Sequence, residues 1–167
     1  VPVLIEKPVC RSSIQARDLL RLARVVEGLV FTGHTRLYSL AWRAFREKAL
    51  TDGVRSVYAI AGSTDCKLSP LWDWGPHPVA MCLDLGFDPL AADIVTGHWD
   101  MPLQVVVNGT LVYDEKPEAP APLEVLLAEF MAAIDYGAPD IRGLILGVQV
   151  VEALEVMERF GVPKNIV

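Results

Sequence analysis

Short apolar runs alternate with amphipathic stretches along the first part of this chain. Val3–Ile5 is an apolar run typical of a buried strand, and the apolar stripe that follows Ser12 predicts a helix ending before Gly28. Ser12 and Gln15 have the spacing of a capping box at the start of this helix. A second apolar stretch, 25–31, predicts another strand. Strand, helix and strand in this order form a βαβ unit, so we expect the two strands to be parallel.

The remaining elements are predicted by apolar stripes that begin at a capping residue or a proline and end at a glycine. This pattern predicts helices from Ser39 to Gly53, over 76–85, over 122–136 and over 143–160. It also predicts strands over 54–61, 103–107 and 110–113, the last two joined by the Asn108-Gly109 hairpin signal. The mixture of helices and strands gives a fold class of α/β or α+β.

Composition narrows the kind of protein. Apolar residues make up 52% of the 167 positions, yet no run approaches the roughly 18 apolar residues of a membrane span. A net charge of −6 argues against a nucleic-acid surface, which needs basic clusters. Three scattered cysteines without a Cys-x-x-Cys pair are typical of a reducing, cytoplasmic compartment. We therefore expect neither nucleic acid nor a membrane as a partner.

Lys7 directly follows the first predicted strand. Parallel sheets place ligand sites at the carboxyl ends of their strands, and Pro8 restricts Lys7 to extended geometry. A lysine held beside a cleft can share a proton with a substrate hydroxyl. Most lysines are solvated surface charges, so the spacing alone leaves that interpretation open.

Asp73 and His77 lie at the predicted start of a helix. Pro76 and Pro78 lack amide hydrogens and fit only the first helical turn, so the helix begins near residue 75 or 76. The Asp73 carboxylate then lies at the positive end of the helix, close to His77. An aspartate beside a histidine raises the pKa of the imidazole and orients one ring nitrogen. Plain helix capping by Asp73 is the alternative.

Three other polar residues are weaker candidates. Arg36 follows a strand end and could bind an anionic or polyol substrate, although a surface salt bridge explains it equally well. His34 and His98 have no metal-ligand spacing to another histidine, cysteine or carboxylate. The sequence therefore predicts no metal site.

Several of these motifs together resemble one family in chain order. The segment 3–8, with Glu6-Lys7-Pro8, is similar to the Glu-Lys-Pro motif of the glucose-fructose oxidoreductase / inositol dehydrogenase / MocA family. The stretch 33–40, Gly-His-Thr-Arg-Leu-Tyr-Ser-Leu, resembles that family's Gly-x-x-x-Arg-x-Tyr-Ser-Pro-like sequence, and 72–77 resembles its Asp-x-x-x-His segment. The helices over 130–136 and 144–154 resemble its closing pair.

The resemblance implies an oxidoreductase that acts on a sugar, polyol, sugar nucleotide or related diol with NAD or NADP. By that resemblance Lys7 contacts the reacting hydroxyl and the nicotinamide, His77 carries the proton, and Asp73 supports both. Glu6 and Pro8 would join Lys7 in binding the cofactor. The substrate-binding residues would be Arg36 and Trp74.

The sequence departs from that family in its nucleotide-binding part. No G-x-G-x-x-G occurs anywhere in the chain, so the phosphate-binding loop is missing. We expect the chain alone to bind NAD(P) weakly or not at all and to be inactive by itself. Residues 1–33 resemble the terminal βαβ unit of a Rossmann-like domain, and 34–167 a substrate and oligomerisation domain. Its mostly antiparallel sheet would be reduced, since 98–103 leaves little room for further strands. Leu40 and Pro78 also replace more usual residues.

Two functional interpretations remain. The first is the substrate-side part of an NAD(P)-dependent oxidoreductase, and the second a non-catalytic or truncated relative that serves as an oligomerisation or ligand-binding domain. Either interpretation includes a homodimer or tetramer, because the sheet needs a cover on its second face. We expect Val105, Val107 or their neighbours at that interface.

Overall fold

The computed structural model describes residues 1–65 and 68–161. Within these ranges it contains six strands and six α-helices, together with 3-10 turns at Thr35–Tyr38 and Pro89–Ala91. In chain order the elements are β1 (Val3–Ile5), α1 (Ser13–Val25), β2 (Val30–Thr32), α2 (Leu40–Asp52), β3 (Val57–Gly62), α3 (Pro70–Asp73), α4 (Pro76–Asp84), β4 (Asp93–Gly97), β5 (Met101–Val107), β6 (Thr110–Asp114), α5 (Pro122–Tyr136) and α6 (Arg142–Phe160). This mixed architecture confirms the predicted α/β (α+β) class.

The first unit is a parallel strand–helix–strand, as predicted. Strands β1 and β2 pair in parallel with Val3 opposite Val30, and α1 packs on α6. The predicted start of the second strand at 25 was wrong, because Val25 is the last residue of α1. The helix ends when Gly28 N donates to Ala23 O at 2.8 Å, after Glu27 with a φ of 48°. The apolar run 25–31 therefore spans a helix end and a strand start.

The capping box at the start of α1 does not form. Ser12 occupies the N-cap position, but its side chain makes no capping hydrogen bond. The amide of Ser13 instead donates to the carboxylate of Glu155 on α6 at 2.7 Å. A tertiary contact thus replaces the predicted local one.

The second sheet has four strands in the order β4-β3-β5-β6. Two of its three pairings are antiparallel, and β3 with β4 is the parallel pairing. Because β4 and β5 flank β3 on opposite sides, the segment 98–100 crosses the end of β3. Trp99 covers this crossing, and a Cβ on Gly97 would lie 1.8 Å from the Trp99 ring. A side chain at Gly97 would therefore displace the Trp99 ring.

The β5–β6 hairpin forms where the sequence predicts it. Asn108 and Gly109 have φ angles of 51° and 80°, the positive values that a two-residue turn requires. The Asn108 side chain also accepts from Arg55 N at 2.8 Å and donates to Gly53 O at 2.9 Å. The turn therefore also ties the start of β3 to the end of α2.

One face of the four-stranded sheet is covered by helices of the same chain. Val105 and Val107 are 1% and 4% exposed on this face, so these two valines are not available to an oligomer interface. Side chains alternate between faces along a strand, and the open face carries the neighbouring positions, with Tyr58 and Leu111 exposed. Of the predicted interface residues, only the neighbours of the two valines are left uncovered, and the assembly itself stays a prediction.

The core lies between the sheet and the helices α2, α4 and α6. Its largest side chains with under 2% exposure are Trp42, Trp72, Met81, Ile94, Leu103 and Leu154, while Leu144 belongs to a second, smaller cluster with Ala23 and Val30. Cys10 and Cys82 are free thiols, while Cys66 lies outside the described residues. Among the described helices, none combines the length and the apolar character that crossing a membrane requires.

Candidate active site

The two parallel strands β1 and β2 end at the same edge of their sheet, and the segments that follow them form one wall of the site. Segment 6–8 leaves β1 beside Gly33, whose amide donates to Ile5 O at 2.7 Å. A Cβ on Gly33 would lie 3.1 Å from the carboxylate of Glu6. The lack of a side chain at Gly33 thus lets the two segments run close together.

Lys7 reaches from this edge to the short helix α3. Its Nζ donates to the backbone oxygen of Asp73 at 2.6 Å and lies 3.9 Å from the carboxylate Oδ1 of the same residue. The side chain of Lys7 is 15% exposed and that of Asp73 is 29% exposed. The structure thus places two of the three predicted catalytic residues in contact at the rim of the site.

His77 is the second residue of α4 and lies inward of that contact. The residue is 6% exposed, and its ring lies 5.9 Å from the ring of Trp74, measured between centroids. The two prolines of the first turn fit α4 as predicted, since helix α4 begins at Pro76. Asp73, however, ends the separate helix α3, which the sequence did not predict, so it does not cap α4.

The charge state of His77 differs from the prediction. Burial lowers the pKa of His77 well below its usual value, and the positive charges of Lys7 and Arg36 lower it further, with a smaller contribution from His34. The predicted rise of this pKa by Asp73 was therefore wrong. The Nδ1 atom of His77, the nitrogen that a carboxylate would orient, is enclosed and has no hydrogen-bond partner within the described ranges.

Arg36 lies in the 3-10 turn after β2, on the same side as His77. Its guanidinium pairs with the carboxylate of Glu115, and both side chains are 22% exposed. Glu115 is itself tied to the end of the sheet, because its Oε2 accepts from Leu103 N at 3.1 Å. Arg36 thus has the salt bridge that the sequence allowed, and its Nε is enclosed without a partner among the described residues.

The other predicted site residues surround this group. Trp74 is half-buried against His77, and Glu6 is exposed at the edge next to Gly33. Pro8 is half-buried and follows Lys7 through a cis peptide bond. The structure therefore brings all seven predicted site residues to one end of the molecule, while their roles remain predictions.

His34 is a site residue that the sequence indicated only as a weak candidate for metal binding. It is 2% exposed, and neither of its ring nitrogens has a hydrogen-bond partner in the described part of the chain. Burial and the charge of Lys7 lower the pKa of His34 from 6.5 to about 4. The available signal was its position directly after Gly33 at the end of a buried strand, opposite Lys7. His98, by contrast, is exposed beyond the end of β4.

The described side chains near the site offer neither the ligands of a metal ion nor a free helix start for a phosphate. Residues 1–65 and 68–161 contain no group of three or more histidines, cysteines and carboxylates that could hold a metal ion. A phosphate could bind at the amino end of a helix that follows a strand. At the start of α1 the amide of Ser13 already binds the carboxylate of Glu155. The start of α1 is therefore already occupied by a carboxylate and does not fit a pyrophosphate.

Solved structures of oxidoreductases share this fold. GenD2 from gentamicin A biosynthesis, in complex with NAD, has a TM-score of 0.76 and 18% identity over 98% of this chain and 70% of its own. A UDP-N-acetylglucosamine 3-dehydrogenase from Acidithiobacillus ferrooxidans has a TM-score of 0.73 and 15% identity over 93% of this chain and 70% of its own. A myo-inositol dehydrogenase from Corynebacterium glutamicum has a TM-score of 0.70 and 13% identity over 95% of this chain and 70% of its own. No protein-family profile and no curated protein sequence matches the chain. At these identities the likeness establishes the fold.

Proposed function

We propose that this chain is the substrate-side part of an NAD(P)-dependent oxidoreductase that acts on a sugar, polyol, sugar nucleotide or related diol by hydride transfer. The observation that carries the proposal is the contact between Lys7 and Asp73 at the carboxyl edge of β1, next to the buried His77. The shared fold with dehydrogenases of inositol and of a sugar nucleotide supports it. In this proposal 1–33 closes a nucleotide-binding domain and 34–167 forms the substrate domain.

The chemistry requires groups that handle one proton. Oxidation of an alcohol releases a hydride and a proton, and a nicotinamide would supply the hydride acceptor. Lys7 would donate a hydrogen bond to the reacting oxygen, and its contact with the Asp73 carbonyl fixes the direction of its side chain. The lowered pKa of His77 keeps its imidazole neutral near pH 7, which is the form that accepts a proton.

The remaining predicted residues would bind the two reactants. Glu6 and Pro8 flank Lys7 and would line the nicotinamide end of the cofactor, NAD or NADP. Arg36, held by Glu115, and Trp74, next to the His77 ring, would contact the substrate. Arginine and an aromatic face are groups that commonly bind hydroxyl-rich ligands through hydrogen bonds and packing.

The alternative function is that of a non-catalytic or truncated relative that binds a ligand or assembles copies of itself. The observation that favours it is the Glu155 carboxylate, which accepts from the amide of Ser13 at the start of α1. A chain of this kind would keep the fold and the Lys7–Asp73 contact but would not bind a dinucleotide tightly.

The decisive experiment measures NAD(P)H formation by the protein as it is encoded, with NAD and NADP, on a panel of inositols, aldoses and sugar nucleotides. We expect turnover with at least one substrate. His77→Ala and Lys7→Met should each lower kcat by about 10²- to 10⁴-fold, the usual contribution of a positioned acid or base.

Two matched variants control for the loss of a charge or an imidazole elsewhere. Lys48→Met removes an exposed lysine on α2, and His98→Ala removes an exposed histidine. Both should keep wild-type turnover. If no substrate gives turnover while the chain is folded, the alternative function holds; if Lys7→Met keeps full kcat, the catalytic assignment is wrong.

We also propose that the open face of the four-stranded sheet forms a homodimer or tetramer interface. Tyr58 is 37% and Leu111 53% exposed on this face. Val106 lies half-buried between them, and Ile60 lies half-buried next to Tyr58 on the same face of β3. Val106→Asp would place a charge in the centre of the interface and should convert the oligomer to a monomer in sedimentation velocity. A wild-type chain that sediments as a monomer at the same concentration would contradict the assembly.

A further inference from the structure

Four nitrogen atoms beneath the Lys7–Asp73 contact are enclosed without hydrogen-bond partners. They are Nδ1 and Nε2 of His34, Nε of Arg36 and Nδ1 of His77, and none has a partner within residues 1–65 and 68–161. A buried polar atom without a partner costs about 1–3 kcal/mol, so such a group usually encloses a bound oxygen. His34 and Arg36 belong to the 3-10 turn at 35–38 and its N-cap, and this turn packs against α4, which carries His77.

The surroundings keep both imidazoles neutral. The positive charge of Lys7 lowers the pKa of His34 and that of His77, after the larger effect of burial on each. Arg36 acts on His77 in the same direction. A neutral imidazole has one N–H donor and one acceptor nitrogen, so each ring can both give and receive a hydrogen bond.

His34 also influences His77 without bonding to it. His34 is the N-cap of the 3-10 turn that packs against α4, the helix that carries His77. After burial, Lys7 and Arg36, His34 also lowers the pKa of His77. Neither His34 nitrogen is hydrogen-bonded, so the two rings do not bond to each other directly. A water molecule between them would accept a hydrogen bond from one ring and donate one to the other.

The carboxylate predicted to orient His77 does not reach Nδ1. Asp73 contacts Lys7 at the rim, and His77 Nδ1 remains unpaired among the described residues. A histidine that exchanges a proton through one ring nitrogen needs its other nitrogen fixed by a hydrogen bond, since that bond decides the tautomer. Another residue must take this role if His77 acts as proposed.

We propose that His34 is a positioning residue for His77 and acts through one bound water. The water accepts the Nδ1–H of His77 and donates to an acceptor nitrogen of His34, while Arg36 Nε–H provides a further donor to it. This holds His77 in the Nδ1–H tautomer and leaves Nε2 as the acceptor of the substrate proton. The catalytic meaning rests on the proposed function, whereas the tautomer does not.

The test reads the tautomer of His77 directly, by long-range ¹H–¹⁵N correlation spectra of the uniformly labelled chain near pH 7.5. The chain has three histidines, so His77→Gln and His98→Gln suffice to assign the signals. In the wild type we expect neutral His77 mainly as Nδ1–H. His34→Phe should lower the ratio of Nδ1–H to Nε2–H by about fivefold, the effect of one hydrogen bond.

The conservative variant separates positioning from packing. His34→Gln keeps an acceptor and a donor near the water and should retain the wild-type tautomer, and His98→Gln should leave it unchanged. A wild-type His77 found as Nε2–H or as imidazolium overturns the proposal, even if His34→Phe does not fold. An unchanged tautomer in folded His34→Phe also overturns it. These spectra need no turnover, so an inactive chain with the expected tautomers would refute only the proposed function.

Discussion

The two buried tryptophans and the two buried histidines of this chain are equally hidden from water but differ in their hydrogen bonds. Trp42, Trp72, His34 and His77 are each at most 6% exposed. Both indole N–H groups donate to carboxylates at 2.9 Å. Three of the four imidazole nitrogens, in contrast, are enclosed without a partner in the described part of the chain.

The difference separates a region that stabilises the fold from one that retains unpaired polar atoms. The partners of the indoles, Asp84 and Glu158, lie at the edge of the core, and Asp84 also binds Arg46 at 2.8 Å. Each side of these contacts is therefore satisfied. Unpaired imidazole nitrogens are costly to keep in a fold, and such groups commonly mark functional sites.

The largest expected effect is on the tryptophan side of the comparison. Trp42→Ala removes a side chain with 0% exposure that packs 5.8 Å from Phe45 and 6.3 Å from Tyr113, measured between ring centroids. The variant should lose about 3–5 kcal/mol of unfolding free energy, the range of large core truncations. Urea denaturation followed by circular dichroism measures this loss.

Trp42→Phe is the matched variant for the hydrogen bond. It keeps an aromatic ring but removes the N–H that donates to Asp84, whose carboxylate still accepts from Arg46. The loss should therefore be smaller than for Trp42→Ala. If both variants lose the same free energy, the carboxylate contact rather than the packing stabilises this part of the core.

Local signals predicted the elements whose cause is local. The Asn108-Gly109 hairpin, the Ser39 cap of α2 and the Pro122 start of α5 all form, because positive φ angles, capping oxygens and missing amides act within a few residues. Strand β4 and helix α3 were missed. Both are short, and β4 exists because it pairs with β3, a contact that no local pattern encodes.

The candidate site could be predicted only in part. The position of Lys7 after a strand and of His77 in a first helical turn followed from the chain itself. The surroundings of His77 did not, because the fold buries its ring and then brings Lys7, Arg36 and His34 near it, none of which the sequence spacing shows. The predicted direction of the His77 pKa was wrong for that reason, and His34 was considered only as a metal ligand.

The second prediction concerns the buried histidines and the pH dependence of the unfolding free energy. The pKa of His34 falls from 6.5 in the unfolded chain to about 4 in the fold, first through burial and then through Lys7. Below pH 6.5 His34 binds a proton in the unfolded chain but stays neutral in the folded one, so the unfolding free energy falls as the pH falls. At about 1.4 kcal/mol per pKa unit, His34 should cost about 3 kcal/mol by pH 4.

The measurement is the unfolding free energy at several pH values between 7.5 and 4. His34→Phe should have a shallower decline than the wild type over this range, whatever its stability at pH 7.5. His98→Gln removes an exposed histidine and should keep the wild-type slope. Parallel curves for wild type and His34→Phe would mean that folding does not lower the pKa of His34.

The smallest expected effect is that of an ion pair on the surface, where its two side chains are not buried. Arg17 on α1 and Glu152 on α6 form an ion pair with Nε and Oε1 2.6 Å apart, and their side chains are 54% and 36% exposed. Because water screens such a pair and both side chains lose freedom in it, Arg17→Ala should cost only about 0.2–1 kcal/mol. Its difference from the wild type should shrink in 1 M salt, where the screening length is about 3 Å. A loss above about 2 kcal/mol that persists in salt would show that this exposed ion pair stabilises the fold as strongly as a buried contact does. Burial would then no longer explain why the hydrogen-bonded tryptophans and the unpaired histidines differ in their contribution to stability.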